Sequence, residues 1–245
     1  MKSIRLVSNS LSLGLLLSLV GLVYSANAQV LLEPRANEAP TRSGALPLER
    51  ESVVVTIDEQ HATTVLSQQY FNDAADALEG VCSVRAGQNS TVKGFAYWNG
   101  STKIRGEVFE KQAAQAVYEQ ATGLRRDPGL LEQTGEGAFS FRVFPIQPKE
   151  HKRIEVTLTQ RLPRDAKTVE YRVPLASPTA DVSATISDSR PLGPLSSSTH
   201  DLTVQALEGK LVVTATPKTK KEKEFILSYT VEQAPYQMTV VKHQD

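Results

Sequence analysis

The sequence predicts a mainly β protein: an antiparallel β-sandwich domain carrying one packed α-helix, followed by a small all-β, sandwich-like domain. Three observations carry that expectation. Apolar residues recur with period two at Val53, Val55 and Ile57, and again at Ile154, Val156 and Leu158, the pattern of strands with one face buried. Clusters of Pro, Gly, Asn, Ser and Lys cut the chain into short strand-length runs. One stretch alone, Glu110 to Thr122, switches to the helical period, with Ala114, Val117, Tyr118 and Ala121 on one face and Gln112, Gln115, Glu119 and Gln120 left for water.

The first element is an address. Lys2 and Arg5 precede an apolar run from Leu11 to Val23, and Ala26-Asn27-Ala28 supplies a small-residue cleavage pattern, so residues 1–28 read as a secretory signal peptide cut before Gln29. The apolar run is shorter than the roughly 20 residues a membrane-spanning helix needs. The expectation is therefore an exported protein, periplasmic or extracellular, without a membrane span once the signal is removed. Residues 29–45 carry Pro, Ala and charge without evident periodicity and are expected to form a flexible leader.

Order is expected from Leu46 onward. Val53, Val55 and Ile57 mark a first strand, Ala62 to Phe71 a second, and Asp58-Glu59-Gln60 the turn between them. Cys82 is the only cysteine, so an intramolecular disulfide is impossible, and its strand setting Val81-Cys82-Ser83-Val84 favours burial as a small hydrophobe over pairing between chains. Strands Val92 to Trp98 and Thr102 to Phe109 flank Asn99-Gly100, whose residue types suit a type I′ turn. After the helix, Gly123 can take the left-handed conformation that ends it, and Phe139, Phe141 and Val143 resume the strand period. Beyond Pro163, runs at Val169 to Leu175, Val182 to Ile186, Leu202 to Leu207, Leu211 to Ala215 and Phe225 to Val231 read as a small sandwich spanning 163–233, leaving 234–245 as a tail.

Composition narrows the function. With 40% apolar and 22% charged residues the chain can form a core, and 27 basic residues balance 27 acidic ones, so nothing suggests a nucleic-acid partner. The signal segment holds Lys2 and Arg5 and no acidic residue, so the mature chain would be nearly neutral, 25 basic against 27 acidic.

Several runs carry a family resemblance. LPLERESVVVTIDEQHATTVLSQQYFND, with Phe71-Asn72 followed by the acidic Glu79, then Gly94-Phe95, Asn99-Gly100 and Gly106, then EKQAAQAVYEQA, LLEQ and FSFRVFPIQP, resemble a vault protein inter-alpha-trypsin (VIT) domain over about residues 46–162. One departure is local: where the family has an aromatic-Pro-Leu-Pro run, this chain has Val84-Arg85-Ala86-Gly87. PLASPTADVSATI and FILSYTVEQ resemble the β-rich segment that follows in inter-alpha-trypsin inhibitor heavy chain-like proteins. The resemblance implies a scaffolding or adhesion role, normally beside a von Willebrand factor type A domain. Only Ala234 to Asp245 follow the last expected strand, too few for such a domain, so the A domain is expected on another chain or, if this chain is a fragment, downstream.

No residue qualifies as catalytic, cofactor-binding or metal-ligating. Asp181-Val182-Ser183-Ala184-Thr185 mimics a metal-ion adhesion motif but reads as a strand. His61, His151, His200 and His243 lack metalloprotease spacing and read as lone surface histidines, and Ser90-Thr91-Val92-Lys93 lacks the companion motifs of acyl transfer. Glu110 suits the start of the helix and Glu119 its wet face, Lys218 to Glu224 reads as a solvated hairpin tip, and Asn89-Ser90-Thr91 and Asn99-Gly100-Ser101 match the glycosylation pattern. The leading expectation is a non-enzymatic exported interaction or adhesion module, without a cofactor, whose partner is a protein. The alternative is a carbohydrate- or matrix-binding module using Tyr97, Trp98 and the Lys218 to Lys223 tip, which needs those aromatics exposed on one face.

Overall fold

The computed structural model describes residues 29–34, 45–87, 89–108, 130–135, 137–165 and 167–232. The expected signal peptide, the helix at Glu110 to Thr122 with Tyr118, and the tail 234–245 lie outside the described residues. Everything described is strand, turn or irregular chain, and the mainly β expectation holds.

The strands are β1 (Gln29–Pro34), β2 (Leu48–Asp58), β3 (His61–Phe71), β4 (Leu78–Arg85), β5 (Ser90–Asn99), β6 (Thr102–Val108), β7 (Leu130–Gly135) and β8 (Ala138–Ile146), then β9 (His151–Arg161), β10 (Arg164–Asp165), β11 (Thr168–Pro174), β12 (Asp181–Ser187), β13 (Leu192–Ser196), β14 (His200–Leu207), β15 (Lys210–Pro217) and β16 (Glu224–Val231). Twelve form one sheet in the order β1-β4-β8-β7-β6-β5-β9-β3-β2-β12-β15-β14, and four form a second in the order β10-β11-β16-β13.

The long sheet folds back on itself at its β6–β7 junction, where only two residue pairs, Glu107 with Leu130 and Val108 with Leu131, hold the strands together. Phe141 of β8 stacks on Phe95 of β5 with ring centroids 4.0 Å apart, so the β1-β4-β8 part lies over the β5-β9-β3 part as a sandwich. Phe95 also lies across its partner Gly106, where an added Cβ would sit 1.7 Å from the ring.

The small sheet covers another part of the same inner face. The Tyr171 hydroxyl meets Thr64 Oγ1 of β3 at 2.8 Å, and the Tyr229 hydroxyl donates to the Glu59 carbonyl at 3.4 Å. The large sheet reaches that far because β12 pairs in parallel with β2, Asp181 beside Ser52 through Ser187 beside Asp58, and β15 and β14 then extend it. Strands after Pro163 thus divide between the two sheets, and the second sandwich borrows one wall from the first. A sequence shows each strand's period but not its lateral neighbour, so this sharing was not visible.

Three local readings change. The segment expected as a flexible leader opens with β1, paired to β4 from Gln29 beside Arg85 to Pro34 beside Gly80. Val30 and Leu32 are buried there, a two-residue signal too short to stand out among Pro and Ala. The β5–β6 turn is Gly100-Ser101, because Asn99 pairs with Thr102; Gly100 at φ 57° takes the first turn position, the type II′ placement. Type I′ dihedrals belong instead to Glu208-Gly209, at φ 49° and 77°, between β14 and β15. Lys218 to Glu224 is a crossover from β15 in the large sheet to β16 in the small one, so it is not a hairpin tip, and Lys218 Nζ donates to the Ser197 carbonyl at 2.7 Å.

Gly106 and Gly94 make a matched test of the Phe95 lid, since nothing lies within 4 Å of a Cβ added at Gly94. Gly106→Ala should displace the ring and cost about 1–3 kcal/mol, the usual range for overpacking, while Gly94→Ala should leave the urea midpoint nearly unchanged. Equal midpoints for the two variants would show that the ring does not seat on Gly106.

Candidate interaction surface

The buried polar groups build the frame. Glu51 Oε1 accepts from Gln68 Nε2 at 2.8 Å and Oε2 accepts from the Ser177 N–H at 2.8 Å, with Ala176 N–H adding a further bond. The Tyr70 hydroxyl donates to Gln68 Oε1 at 2.8 Å and is itself bonded by the backbone of Leu32. One chain of bonds thereby ties β1, β3 and β2 to the loop between β11 and β12. Burial raises the Glu51 pKa despite those donors.

Asn72 makes the second knot. Fully buried, its Nδ2 donates to the carbonyls of Asp76, Ile146 and Gln147, and its Oδ1 accepts from Ala74 N–H. This gives a physical role to the Phe71-Asn72 pair: a side chain with two donors and an acceptor clamps the β3–β4 loop to the β8–β9 turn. Lys152 is the third. Its ammonium is sealed from solvent and donates to Glu150 at 2.7 Å, to the Trp98 carbonyl at 3.0 Å and to Asn99 Oδ1 at 2.9 Å. Asn99 of the second glycosylation pattern is therefore engaged inside the fold. No buried side-chain polar atom among the described residues lacks a partner.

The remaining sequence candidates scatter. Cys82 is fully buried in β4, and burial pushes its thiol well above the ordinary range. Asp181 to Thr185 lie in β12, with Val182, Ala184 and Ile186 turned inward in clean alternation. His61 is exposed, and His151 bonds Glu49 at 2.6 Å beside the Phe71 ring. His200 is not a surface residue: it is 2% exposed and set edge-on to Phe225 with centroids 5.1 Å apart, and burial lowers its pKa. The sequence pattern missed this because His200 opens a strand in which it alone is buried. Ser90 to Lys93 begin β5, while His243, Glu110 and Glu119 lie outside the described residues. Among the described residues no group of three His, Cys, Asp or Glu side chains is placed to hold a metal ion.

The outward face of the large sheet carries exposed polar side chains in register. Cross-strand register lines up Thr185, Thr56, Thr63, Thr159 and Thr91 in one row across β12, β2, β3, β9 and β5. β-Branched hydroxyl side chains suit a pleated face that must stay wet. Toward the other end, Arg50 stands beside Gln69 and Gln69 beside Arg153. With Ser52, Val54, Ser67 and Glu155 they line an open hollow of about 460 Å³. Arg153 from β9 lies 4.1 Å from the Trp98 ring and Lys103 from β6 lies 4.8 Å from it, so cations arriving from both flanking strands occupy the ring. Tyr97, one residue along, is 1% exposed and faces inward. The two aromatics do not share an exposed face, which a sugar-stacking platform would require.

Taken together, the described chain is an all-β module whose buried polar groups serve the scaffold and whose exposed features are sheet faces and edges. Residues 48–159 match the family model of the vault protein inter-alpha-trypsin (VIT) domain. A von Willebrand factor A domain-containing protein of Dictyostelium discoideum is 29% identical over 107 residues, 42% of this chain and 12% of that protein. The von Willebrand factor A domain-containing protein 5A of Mus musculus is 27% identical over 132 residues, 53% of this chain and 17% of that protein. The chain thus spans less than a fifth of the length of these relatives. A zinc metallopeptidase of the M1 class from Deinococcus radiodurans covers 75% of this chain and 42% of its own at 10% identity and TM-score 0.43, a likeness that fixes neither fold nor activity.

Two substitutions test the frame. Glu51→Gln puts an amide donor against backbone donors and should cost about 1–3 kcal/mol, the usual penalty for a buried group left unpaired, read from the urea midpoint. His200 titrates at about 6.5 when unfolded and lower when folded, so its contribution is complete above pH 6.5 and is lost as pH falls through the folded value. His200→Leu should therefore flatten the fall in stability between pH 7.5 and pH 5; an unchanged slope would place that acid sensitivity elsewhere.

Proposed function

We propose that this protein is a non-enzymatic, exported VIT-type module that holds another protein in an adhesion or scaffold assembly. The VIT match over residues 48–159 carries the reading, because it joins this chain to relatives named for their von Willebrand A domains. The partner is a protein, with an A domain on the same or another chain as the first candidate. The structure supports the reading physically. Glu51, Gln68, Asn72 and Lys152, groups that elsewhere serve acid, base or electrophilic roles, are each fully bonded within the frame, and the outward sheet face offers mixed charge and hydroxyls for contact. Export rests on the charged start, the apolar run to Val23 and the Ala26-Asn27-Ala28 site.

Three measurements test this. The secreted product should begin at Gln29 on N-terminal sequencing, and recovery of intact Met1 would reject export. Used as bait on a crosslinked envelope extract of its host, the chain should retain a defined protein that free module competes away. Saturable binding on a glycan array, lost in Trp98→Ala and without a protein partner, would overturn the reading in favour of carbohydrate.

A further inference from the structure

Strand β14 ends the large sheet, and among the described residues nothing pairs with its far side. It has few of the usual protections of an edge: Asp201 is its one carboxylate, no proline, lysine or glycine interrupts His200 to Leu207, and it runs without a register shift against β15. Only His200 is buried; Asp201 to Leu207 stand in solvent or half in it. Val204 and Leu207, at 43% and 60% exposure, are two of the four large apolar side chains left open among the described residues.

The backbone decides which groups this edge presents. Leu207 and Lys210 close the two-residue Glu208-Gly209 turn, so they form a hydrogen-bonded pair, and alternation makes Gln205–Val212, Thr203–Thr214 and Asp201–Thr216 the other bonded pairs. Leu202, Val204 and Ala206 therefore aim both N–H and C=O away from β15. The accessible stretch, Asp201 to Leu207, has Val204 as its midpoint, which is one of those outward residues.

From this geometry we infer that β14 pairs antiparallel with β14 of a second copy about a two-fold axis at Val204. In that register Val204 faces its own copy and Leu202 faces Ala206, so outward donors meet outward acceptors at every bonded pair. Side chains agree with the backbone. Leu202, Val204 and Ala206 share one face and give a continuous apolar strip, Thr203 meets Gln205 on the other, and Asp201 meets Leu207, so no like charges oppose. Shifting the axis toward Leu202 would carry the pairing into Thr199 and His200, which are committed to Ile226 N–H and to Phe225; shifting it toward Ala206 runs the strand into the turn. The contact is a strand-to-strand one, smaller than the about 1,200 Å² of stable interfaces, so dimerisation depends on concentration. This inference stands independently of the protein partner proposed above.

Cysteine scanning on the chain from Gln29 tests it, because Cys82 is buried and any introduced thiol is the only reachable one. In the inferred register the Val204 Cα atoms of the two copies are about 5.5 Å apart. Leu207, more exposed, lies about 20 Å from its copy, six residues out of register at about 3.4 Å each. Under a short bifunctional thiol crosslinker, which spans the wider Cβ separation of a hydrogen-bonded pair, Val204→Cys should form covalent dimer at least tenfold faster than Leu207→Cys. Wild type should show monomer–dimer exchange in sedimentation velocity, weakened at least tenfold by Val204→Lys with an unchanged unfolding midpoint. Crosslinking of Val204→Cys no faster than Leu207→Cys, a wild-type monomer at every concentration, or a dimer that survives Val204→Lys would each overturn the inference. None of those outcomes bears on whether an envelope protein is retained.

Discussion

The parallel pairing of β12 with β2 is the constraint on which the molecule depends. Without it β2 would be an edge, the small sheet would lose the part of its wall that β12, β15 and β14 supply, and the inward residues Val53, Val55 and Ile57 would lose part of their cover. Each of those side chains contributes on the order of 1.5–3 kcal/mol when fully removed from water. The Glu51 network sits at the seam where the folded-over β1–β4–β8 layer and the small sheet meet on the shared inner face. A buried carboxylate there is costly unless every lone pair is used. Gln68, Ser177 and Ala176 use them, and in doing so they hold the loop that delivers β12 to β2.

Strand positions were largely legible because half-buried strands write their period into the sequence. Val53 to Ile57, Ile154 to Leu158 and Phe225 to Val231 all fall where alternation places them, and Cys82 lies buried in its strand. What escaped was lateral. The partner of β12 lies more than a hundred residues away, and no local pattern in DVSATIS distinguishes a strand closing its own sandwich from one extending another. β13, LGPLS, escaped because its Gly and Pro read as a breaker; as the edge of the small sheet it tolerates both.

The candidate surface was less legible than the fold. Trp98 entered with Tyr97 as a candidate sugar platform, yet its two cations come from β9 and β6, and only the sheet order shows that they approach from opposite sides. The aligned threonines come from five separate runs, so they form a row only once the register is known. In contrast, the Phe71-Asn72 pair was readable through family resemblance, and the three carbonyls it gathers supply a reason for it.

The reach from β2 to β12 also imposes an order of events. Ser52 emerges during synthesis long before its neighbour Asp181, and loop closure over such a separation is slow compared with local hairpin formation. Until β12 arrives, the β2–β3 hairpin presents an unpaired, Val-rich border to every other nascent chain. A module cut at the end of its family match would keep that border permanently, so the natural unit of folding is longer than the unit of kinship.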